Sequence, residues 1–374
     1  MRTPIISFLF LTVILVSGAL ANTTLSVSNS VYIPLTVGRW FDYVVVIMME
    51  NHSINDTYGT SVQPNSWNSN SKTCLGNCTY FNLLANSNGL AENYTIDSIQ
   101  AGSLGDYIAI TSGFGNTNPA CNSNPPGSGG CTLLTNQNIV DTLENFGLSW
   151  KAYMEGYTLQ SGCLNSDQGP PYYYHVSHNP FIYYKDIHDN VARCSHIVNA
   201  NSHQANQTRA SDTSVCWPQP VDDDDLFLKD LNSVTSASNY MFLTPNTADD
   251  AHDCNDVSLS NAWMNRVIPQ ILSSALFMTK KAALFVTFDE PDCTFTAPTS
   301  PPCPSSAPQL YTVWASNSNN PTTVPGFKSL NPYTHYSALK TIEDNWNLPH
   351  LVPSTDGSPS TQNMQEFLRS NPNP

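Results

Sequence analysis

Two runs of apolar residues along the chain stop abruptly at acidic positions. Residues 44–49 are aliphatic or methionine and precede Glu50 and Asn51; residues 282–288, apolar except for one threonine, precede Asp289 and Glu290. A short continuous apolar run bounded by polar residues is typical of a strand buried on both faces. The first run alone fits equally well a strand that ends in an ordinary polar turn.

The spacing of apolar residues also predicts helices. Helical periodicity occurs over residues 138–146, 260–277 and 336–346. Gly147 is the expected C-cap of the first helix, and Pro269 is expected to kink or split the second.

Strand-like segments alternate with these helices. Strands are predicted over residues 149–154 and 238–243, whereas residues 74–136 are rich in Asn, Gly and Ser and are predicted to be mostly loop, apart from the segment around Ser103. This alternation predicts an α/β fold with a mainly parallel central sheet flanked by helices.

The acidic strand ends predict a metal site. They can meet only if their strands lie close together in one sheet, and ligands bind at the carboxyl ends of such strands. Three crowded carboxylates repel one another unless a cation or a proton neutralises them. We predict a divalent metal ion held by Glu50, Asn51, Asp289 and Glu290. Oxygen ligands favour Mg²⁺, Ca²⁺ or Mn²⁺, with Zn²⁺ possible if the geometry selects it.

Ser103 is the candidate nucleophile. Its small neighbours suit a tight turn at the start of a helix, where free N–H groups favour an anion. A bound cation would help to deprotonate the hydroxyl. The structural alternative is a serine that only caps a helix.

Histidines supply further candidate groups. His178 and His252 lie in polar, turn-rich segments, and His335 precedes the last predicted helix. A single histidine is more often structural than catalytic. A structural role is expected for the remaining histidines, which are His52, His175, His188, His196, His203 and His350.

The amino terminus has the pattern of a secretory signal peptide over residues 1–21. Arg2 precedes an apolar core over residues 5–16, and Ala19-Leu20-Ala21 resembles a cleavage site. The apolar run is short for a membrane span, and no later stretch approaches one. We expect a secreted, extracellular protein with a single domain over residues 22–374 and no transmembrane segment after cleavage.

Ten cysteines fit an oxidising compartment and predict up to five disulfides. The local pairs expected are Cys74–Cys78, Cys121–Cys131 and Cys293–Cys303, while the spacing leaves open the pairing of Cys163, Cys194, Cys216 and Cys254. Sequons predict a glycoprotein; they begin at Asn22, Asn51, Asn55, Asn77, Asn93 and Asn206. A glycan on Asn51 would block the predicted metal site, so that sequon is expected to stay unmodified.

Charge is sparse and acidic. Charged residues make up 11% of the chain and the formal net charge is −15. A nucleic-acid binder needs a basic face, so no nucleic-acid partner is expected. The low charge suits an acidic exterior, and a glycosylated secreted protein would account for it equally well.

Several short motifs in order resemble the phosphoesterase family that contains bacterial phospholipases C and secreted acid phosphatases, within the alkaline-phosphatase superfamily. The resemblance extends over about residues 43–348. The motifs that carry it are residues 44–53 with Glu50 and Asn51, Ser103-Leu104 with Tyr107-Ile108-Ala109, Ser112-Gly113, residues 147–150 and 153–155, His178-Asn179-Pro180-Phe181, Pro245-Asn246 with Asp250, His252 and Asp253, Phe288-Asp289-Glu290, and His335-Tyr336-Ser337 with residues 343–345.

The resemblance implies an alkaline-phosphatase-like fold and a role for each matched residue. It assigns the metal to Glu50, Asn51, Asp289 and Glu290, and the nucleophile to Ser103. His178 and His252 would bind phosphoryl oxygens or protonate the leaving group. Asn51 would also face the phosphate, and Asp250 and Asp253 are weaker candidates.

The chain departs from the family pattern on both sides of Ser103. Ala101-Gly102 replaces a common His-Pro, and Gly105-Asp106 replaces a common Pro-Asn. These changes remove one possible phosphate contact and add a negative charge.

The resemblance implies a metal-dependent phosphoesterase that hydrolyses small phosphate esters. An acid phosphatase acting on phosphomonoesters through a phosphoserine is the first expectation. A phosphodiesterase of the phospholipase C type and a non-catalytic surface glycoprotein with the same fold are the alternatives.

Overall fold

The computed structural model describes most of the chain between Val37 and Ser370. The described ranges are 37–58, 78–96, 102–115, 118–122, 124–169, 173–201, 224–252, 257–291 and 309–370. The predicted signal peptide, Asp253 and one or both cysteines of the pairs Cys74–Cys78 and Cys293–Cys303 lie outside them.

One mixed sheet organises these residues. Its eight described strands are β1 Tyr43–Met49, β2 Gly89–Ala91, β3 Trp150–Met154, β4 Ile197–Asn199, β5 Tyr240–Thr244, β6 Ala282–Phe288, β7 Thr312–Ala315 and β8 Lys328–Ser329. The order across the sheet is β4-β3-β5-β1-β6-β7-β2-β8. The first five of these are parallel, and β7 runs antiparallel to both its neighbours. The predicted α/β fold with a mainly parallel sheet is confirmed.

Helices cover the sheet. They are α1 Ile54–Thr57, α2 Thr79–Ser87, α3 Gly102–Ser112, α4 Ile139–Asn145, α5 Lys185–His188, α6 Val191–Cys194, α7 Asp225–Asn232, α8 Val257–Leu272, α9 Ala275–Thr279 and α10 His335–Trp346. Short 3₁₀ turns occur at Pro119–Asn122, Val176–His178, Pro180–Tyr183 and Gln365–Phe367. Among the described helices, none combines the length and apolar character that crossing a bilayer requires.

The helix predicted over residues 138–146 is confirmed as α4, and its ends follow the expected capping chemistry. Asn138 accepts a hydrogen bond from the Val140 N–H at the amino end. Gly147 follows the helix with φ 75°, a left-handed conformation that glycine adopts without steric cost. The helix predicted over residues 336–346 is likewise confirmed as α10.

The helix predicted over residues 260–277 is two helices, α8 and α9. Pro269 lies inside α8, which continues beyond it, so the helix is not split at this proline, and a kink there stays a prediction. The division falls at Ser274, whose side chain caps α9 by accepting from the Phe277 N–H.

The prediction of loop over residues 74–136 was partly wrong. Apart from the expected helix at Ser103, the segment forms α2 and β2. In α2 the side chains of Tyr80, Phe81 and Leu84 are buried, whereas Leu83 is exposed, so the apolar residues do not mark a single face of the helix. Strand β2 has three residues and lies between β7 and β8, and three residues are too few to produce a recognisable pattern.

Disulfides join described segments at two places. Cys121–Cys131 is confirmed, and Cys163 pairs with Cys194, which the sequence had left open. The second bridge closes the longer loop, with a sequence separation of 31 against 10. Loop-closure entropy predicts that replacing both cysteines by alanine lowers the free energy of unfolding by roughly 4 kcal/mol for Cys163–Cys194 and roughly 3 kcal/mol for Cys121–Cys131. Urea denaturation of the two double variants checks this, and the reverse order would contradict it.

A buried acid pair near the end of α10 predicts pH-dependent stability. Glu343 accepts a hydrogen bond from the Leu351 N–H, Asp356 accepts one from the Val352 N–H, and both side chains are fully buried. Burial, followed by the charge of Asp356, holds the pKa of Glu343 well above its usual range. The folded protein therefore keeps a proton that the unfolded chain loses above about pH 4.3.

The consequence is that stability falls as pH rises above that value, with a slope of at most about 1.4 kcal/mol per pH unit from this group. Glu343→Gln keeps the acceptor for the Leu351 N–H and replaces the carboxyl O–H donor with an amide N–H donor that does not titrate, so we expect its free energy of unfolding to fall less between pH 4.5 and pH 7 than that of the wild type. Denaturation at several pH values tests this. Parallel pH curves for the two proteins would contradict it.

Candidate active site

The central strands bring four polar residues to one edge of the sheet. Glu50 follows β1, Asp289 follows β6, and Asp250 and His252 follow β5, while β1 lies between the other two strands. The pairing continues beyond the strand ends. The Glu50 N–H donates to the Asp250 carbonyl at 3.0 Å, and the Asp289 N–H donates to the Met49 carbonyl at 2.9 Å. The three acidic segments are therefore fixed side by side.

Asn51 turns the chain away from the sheet directly after Glu50. Its φ of 57° is left-handed, a conformation that asparagine tolerates better than most residues. In this conformation its main-chain N–H donates to Asp289 Oδ1 at 2.9 Å. Its side chain is half-buried, and Glu290, the predicted ligand that follows Asp289, is buried. Ligation by the Asn51 and Glu290 side chains stays a prediction.

Ser103 lies in the first turn of α3, as the sequence predicted. Its Oγ donates to Glu50 Oε2 at 3.2 Å, so nucleophile candidate and acid candidate are in direct contact. Gly102 precedes it with φ 62°, whereas proline is restricted to φ near −65°. Gly102 therefore adopts a backbone conformation that a proline, as the resemblance would lead one to expect, could not adopt.

Two imidazoles surround the Glu50 carboxylate. His178 Nε2 lies 3.2 Å from Glu50 Oε1, and its Nδ1 lies 3.3 Å from Asp250 Oδ2. The His252 ring lies 5.1 Å from that of His178, and its main-chain N–H donates to Asp250 Oδ1 at 2.8 Å. One ligand atom from each of Glu50, His178 and His252 falls within 4.8 Å of the others. The structure thus places both predicted histidines against a predicted metal ligand.

Two residues in this cluster were not predicted to belong to the site, although Tyr107 is part of the motif around Ser103. His175, assigned above to a structural role, lies with its ring 4.8 Å from His178 and 5.9 Å from His252. Tyr107 is stacked on His178 at 5.6 Å with an angle of 6° between the ring planes. Tyr107 lies one helical turn after Ser103, and His175 lies three residues before His178. These spacings place each on the same side of its segment as the recognised residue.

Glu155 fixes the segment that carries Asp250 and His252. Its Oε1 accepts from the Trp263 indole N–H at 2.7 Å, and its Oε2 accepts from the Asn246 N–H at 2.8 Å. The carboxylate is buried at the end of β3, so it holds the turn after β5 against α8.

His335 contacts the site at the main chain of Asp289. Its Nε2 lies 2.7 Å from the Asp289 carbonyl oxygen and 3.7 Å from Asp106 Oδ1, and its Nδ1 lies 3.0 Å from the Tyr94 hydroxyl. Burial lowers the pKa of His335 to about 4, against the opposing effect of the hydrogen bond to Asp289, so the imidazole is neutral at ordinary pH.

The electrostatics of the cluster fit a cation. Burial, followed by the charges of Asp289 and Asp250, raises the pKa of Glu50 well above its usual range. Burial also raises the pKa of Asp289, although hydrogen bonds from Glu50, Asn51, Glu290 and Ser103 oppose this. Burial, followed by the neighbouring His175 and His252, lowers the pKa of His178.

Several buried ligand atoms approach one another without forming hydrogen bonds. Within the described ranges, Glu50 Oε1, Asp289 Oδ2 and both nitrogens of His178 have no hydrogen-bond partner of acceptable geometry. No lysine or arginine in those ranges forms an ion pair with Glu50 or Asp289. Lone pairs that converge in a buried site without a counter-charge are the donor set that a divalent cation requires.

Sequence comparison with known proteins identifies the family of this chain. A model of the phosphoesterase family matches residues 75–349. A phosphate-repressible acid phosphatase from Penicillium chrysogenum is 26% identical over 215 residues, which cover 57% of this chain and 43% of that protein. An acid phosphatase from Aspergillus fumigatus is 26% identical over 223 residues, which cover 57% and 40%. The matched part is less than half of the length of each of these relatives.

Solved structures share the fold. A protein in the alkaline phosphatase superfamily from Vibrio parahaemolyticus superposes with a TM-score of 0.51 at 11% identity, covering 83% of this chain and 67% of that one. A phosphonate monoester hydrolase from Silicibacter pomeroyi superposes with a TM-score of 0.50 at 11% identity, covering 87% and 76%. The chain therefore shares its fold with these two proteins.

Proposed function

Because the chain belongs to the phosphoesterase family, we propose that it is a metal-dependent phosphoesterase, an acid phosphatase that hydrolyses phosphomonoesters. The observation that carries this proposal is the contact between the Ser103 hydroxyl and the buried Glu50 carboxylate, inside a cluster of acids and imidazoles. The acid phosphatases to which it is similar support the choice of substrate class.

The cation is held in this proposal by Glu50 and Asp289, with Asn51 and Glu290 as further ligands. His178 and His252 lie near enough to Glu50 to contribute nitrogen ligands in place of some of these oxygens. When bound, a divalent cation polarises the phosphoryl oxygen and lowers the pKa of the serine hydroxyl. Oxygen ligands alone would favour Mg²⁺, Ca²⁺ or Mn²⁺, whereas two imidazoles would favour Zn²⁺.

Ser103 performs the chemical step. Its proton is directed towards Glu50, so a lone pair of Oγ is available to attack phosphorus in line with the leaving oxygen. The phosphorus–oxygen bond to the leaving group breaks as the bond to Ser103 forms, the serine proton passes to Glu50, and His252 gives the departing oxygen its proton. Water then hydrolyses the phosphoserine and releases inorganic phosphate.

The surroundings of Ser103 suit a phosphoryl group. The amino end of α3 presents main-chain N–H groups that have no partner within the helix. His178, His252 and the Asn51 amide would add hydrogen-bond donors, and Asp250, which lies 3.3 Å from His178 Nδ1, would act on the phosphate through that imidazole. The phosphoryl oxygens would therefore meet both main-chain and side-chain donors.

Hydrolysis of p-nitrophenyl phosphate and of bis(p-nitrophenyl) phosphate, compared across pH with Mg²⁺, Mn²⁺, Ca²⁺ or Zn²⁺ supplied, tests the substrate class. We expect turnover of the monoester to exceed that of the diester, with a maximum at acidic pH. Preferential turnover of the diester would replace this proposal with a phosphodiesterase of the phospholipase C type. Cation binding without turnover of either ester would replace it with a non-catalytic binding protein.

Secretion is part of the same proposal. The two disulfides in the described residues and the similarity to fungal acid phosphatases support an extracellular location. Expression of the full chain with assay of medium and cells tests it, and exclusive recovery from the cells would contradict it.

A further inference from the structure

His335 brings three separate segments into contact next to the proposed site. It is the first residue of α10, where Thr334 and Ser337 form a capping box, and its side chain is fully buried. Its ring contacts the main chain at the end of β6 through Asp289, and it contacts the segment that follows β2 through Tyr94.

The hydrogen bonds fix which ring nitrogen carries hydrogen. A carbonyl oxygen can only accept, so His335 Nε2 must donate to the Asp289 carbonyl at 2.7 Å. The neutral ring then accepts at Nδ1, and the Tyr94 hydroxyl donates to it at 3.0 Å. Tyr94 thereby keeps the N–H of His335 directed at Asp289.

The same N–H is near the helix of the nucleophile. Asp106, one turn after Ser103 on α3, places Oδ1 3.7 Å from His335 Nε2. His335 thus lies between the main chain of a proposed metal ligand and the helix that carries the nucleophile. A change in the position of this ring would alter the distance between Asp289 and Ser103.

We propose that His335 is a positioning residue that fixes Asp289 relative to Ser103 and so sets the affinity for the cation. Only the expected change in kcat rests on the proposed function, and the expected change in cation affinity does not. Groups that orient a ligand without contacting the metal commonly change metal affinity or activity by about 10- to 100-fold when removed.

His335→Leu removes the donor at nearly constant side-chain volume. We expect its Kd for Mn²⁺, measured by electron paramagnetic resonance on the metal-free full chain, to rise about 10- to 100-fold. The value of kcat should fall by a similar factor, with KM within about threefold. His335→Gln places an N–H donor at comparable reach, and both quantities should return to within about threefold of the wild type.

His196 provides a matched control. Its Nδ1 also hydrogen-bonds a main-chain carbonyl, that of Trp150 at 2.9 Å, and its ring stacks on the same indole at 5.0 Å. It lies at the amino ends of β3 and β4, whereas the site lies at the carboxyl ends of the parallel strands. His196→Leu should lower stability without changing the Kd for Mn²⁺.

A folded His335→Leu with wild-type Mn²⁺ affinity and wild-type kcat overturns the inference while leaving the proposed function in place. If the wild type hydrolyses neither ester but His335→Leu still weakens Mn²⁺ binding, the proposed function fails and the inference stands. Should His335→Leu not fold, Tyr94→Phe removes only the hydroxyl that orients the ring. That variant must then raise the Kd for Mn²⁺ at least threefold, and an unchanged Kd overturns the inference.

Discussion

Replacing Ser103 by alanine is expected to lower kcat/KM for p-nitrophenyl phosphate by on the order of 10³-fold or more, because the attacking atom is lost. The smaller methyl side chain still fits the first turn of α3, so the fold and the Glu50 carboxylate stay in place. Steady-state kinetics measures the loss. Acid quenching of the wild type during turnover, followed by mass spectrometry, should also show one phosphate on the peptide that contains Ser103.

Ser112 is the control for that experiment because it lies on the same helix. It is buried, and its hydroxyl donates to the Ile108 carbonyl at 2.9 Å instead of to an acid of the site. Ser112→Ala should keep kcat/KM within about threefold of the wild type. Retention of more than a tenth of the activity by Ser103→Ala would remove this serine as nucleophile.

Replacing Glu50 by glutamine is expected to have the second large effect. It should lower cation binding and activity but raise the stability of the metal-free protein. The variant should bind a divalent cation far more weakly and lose activity by roughly 10²-fold or more, because Glu50 contacts both Ser103 and His178. Without metal, however, Glu50→Gln should be more stable than the wild type at neutral pH. The pKa of Glu50 in the folded protein is raised, so the stability that this carboxyl contributes is present at low pH and is lost as pH rises.

Chelation of the wild type followed by thermal unfolding at pH 5 and pH 7.5 measures the second effect. The metal-free wild type should lose more stability between these two pH values than metal-free Glu50→Gln. Glu92→Gln, at a partly exposed carboxylate near Lys328, should behave as the wild type in both assays. Equal pH dependence of stability in metal-free wild type and metal-free Glu50→Gln would mean that ionisation of Glu50 does not destabilise the folded protein.

The parts of the fold and site that follow from sequence are those with a strong local signal. The largely apolar runs before Glu50 and Asp289 identified β1 and β6, because strands covered on both faces bury the side chains of every position. Ser103 was recognised from its small neighbours, which begin α3 as expected. The Cys121–Cys131 bridge followed from short spacing.

The parts that were missed depend on distant partners. Strand β2 exists because β7 and β8 pair with its three residues, and nothing within those residues indicates this. His175 carries no local mark that separates it from His188 or His196, and only its approach to His178 does so. Cys163 and Cys194 likewise required the fold, since several pairings of the remaining cysteines were equally open.

The position of β1 in the middle of the sheet has a consequence for biosynthesis. Tyr43 pairs with Ala282, and Val44 pairs with Tyr240, so both neighbours of β1 in the sheet are synthesised much later than β1 itself. At about 5 to 20 residues per second, the ribosome needs on the order of 10 to 40 s to reach β5, the earlier of the two partners. During that interval an entirely apolar segment has no neighbour in the sheet, and such segments aggregate readily. We therefore expect the strand that ends at Glu50 to need protection by a chaperone until β5 has been made.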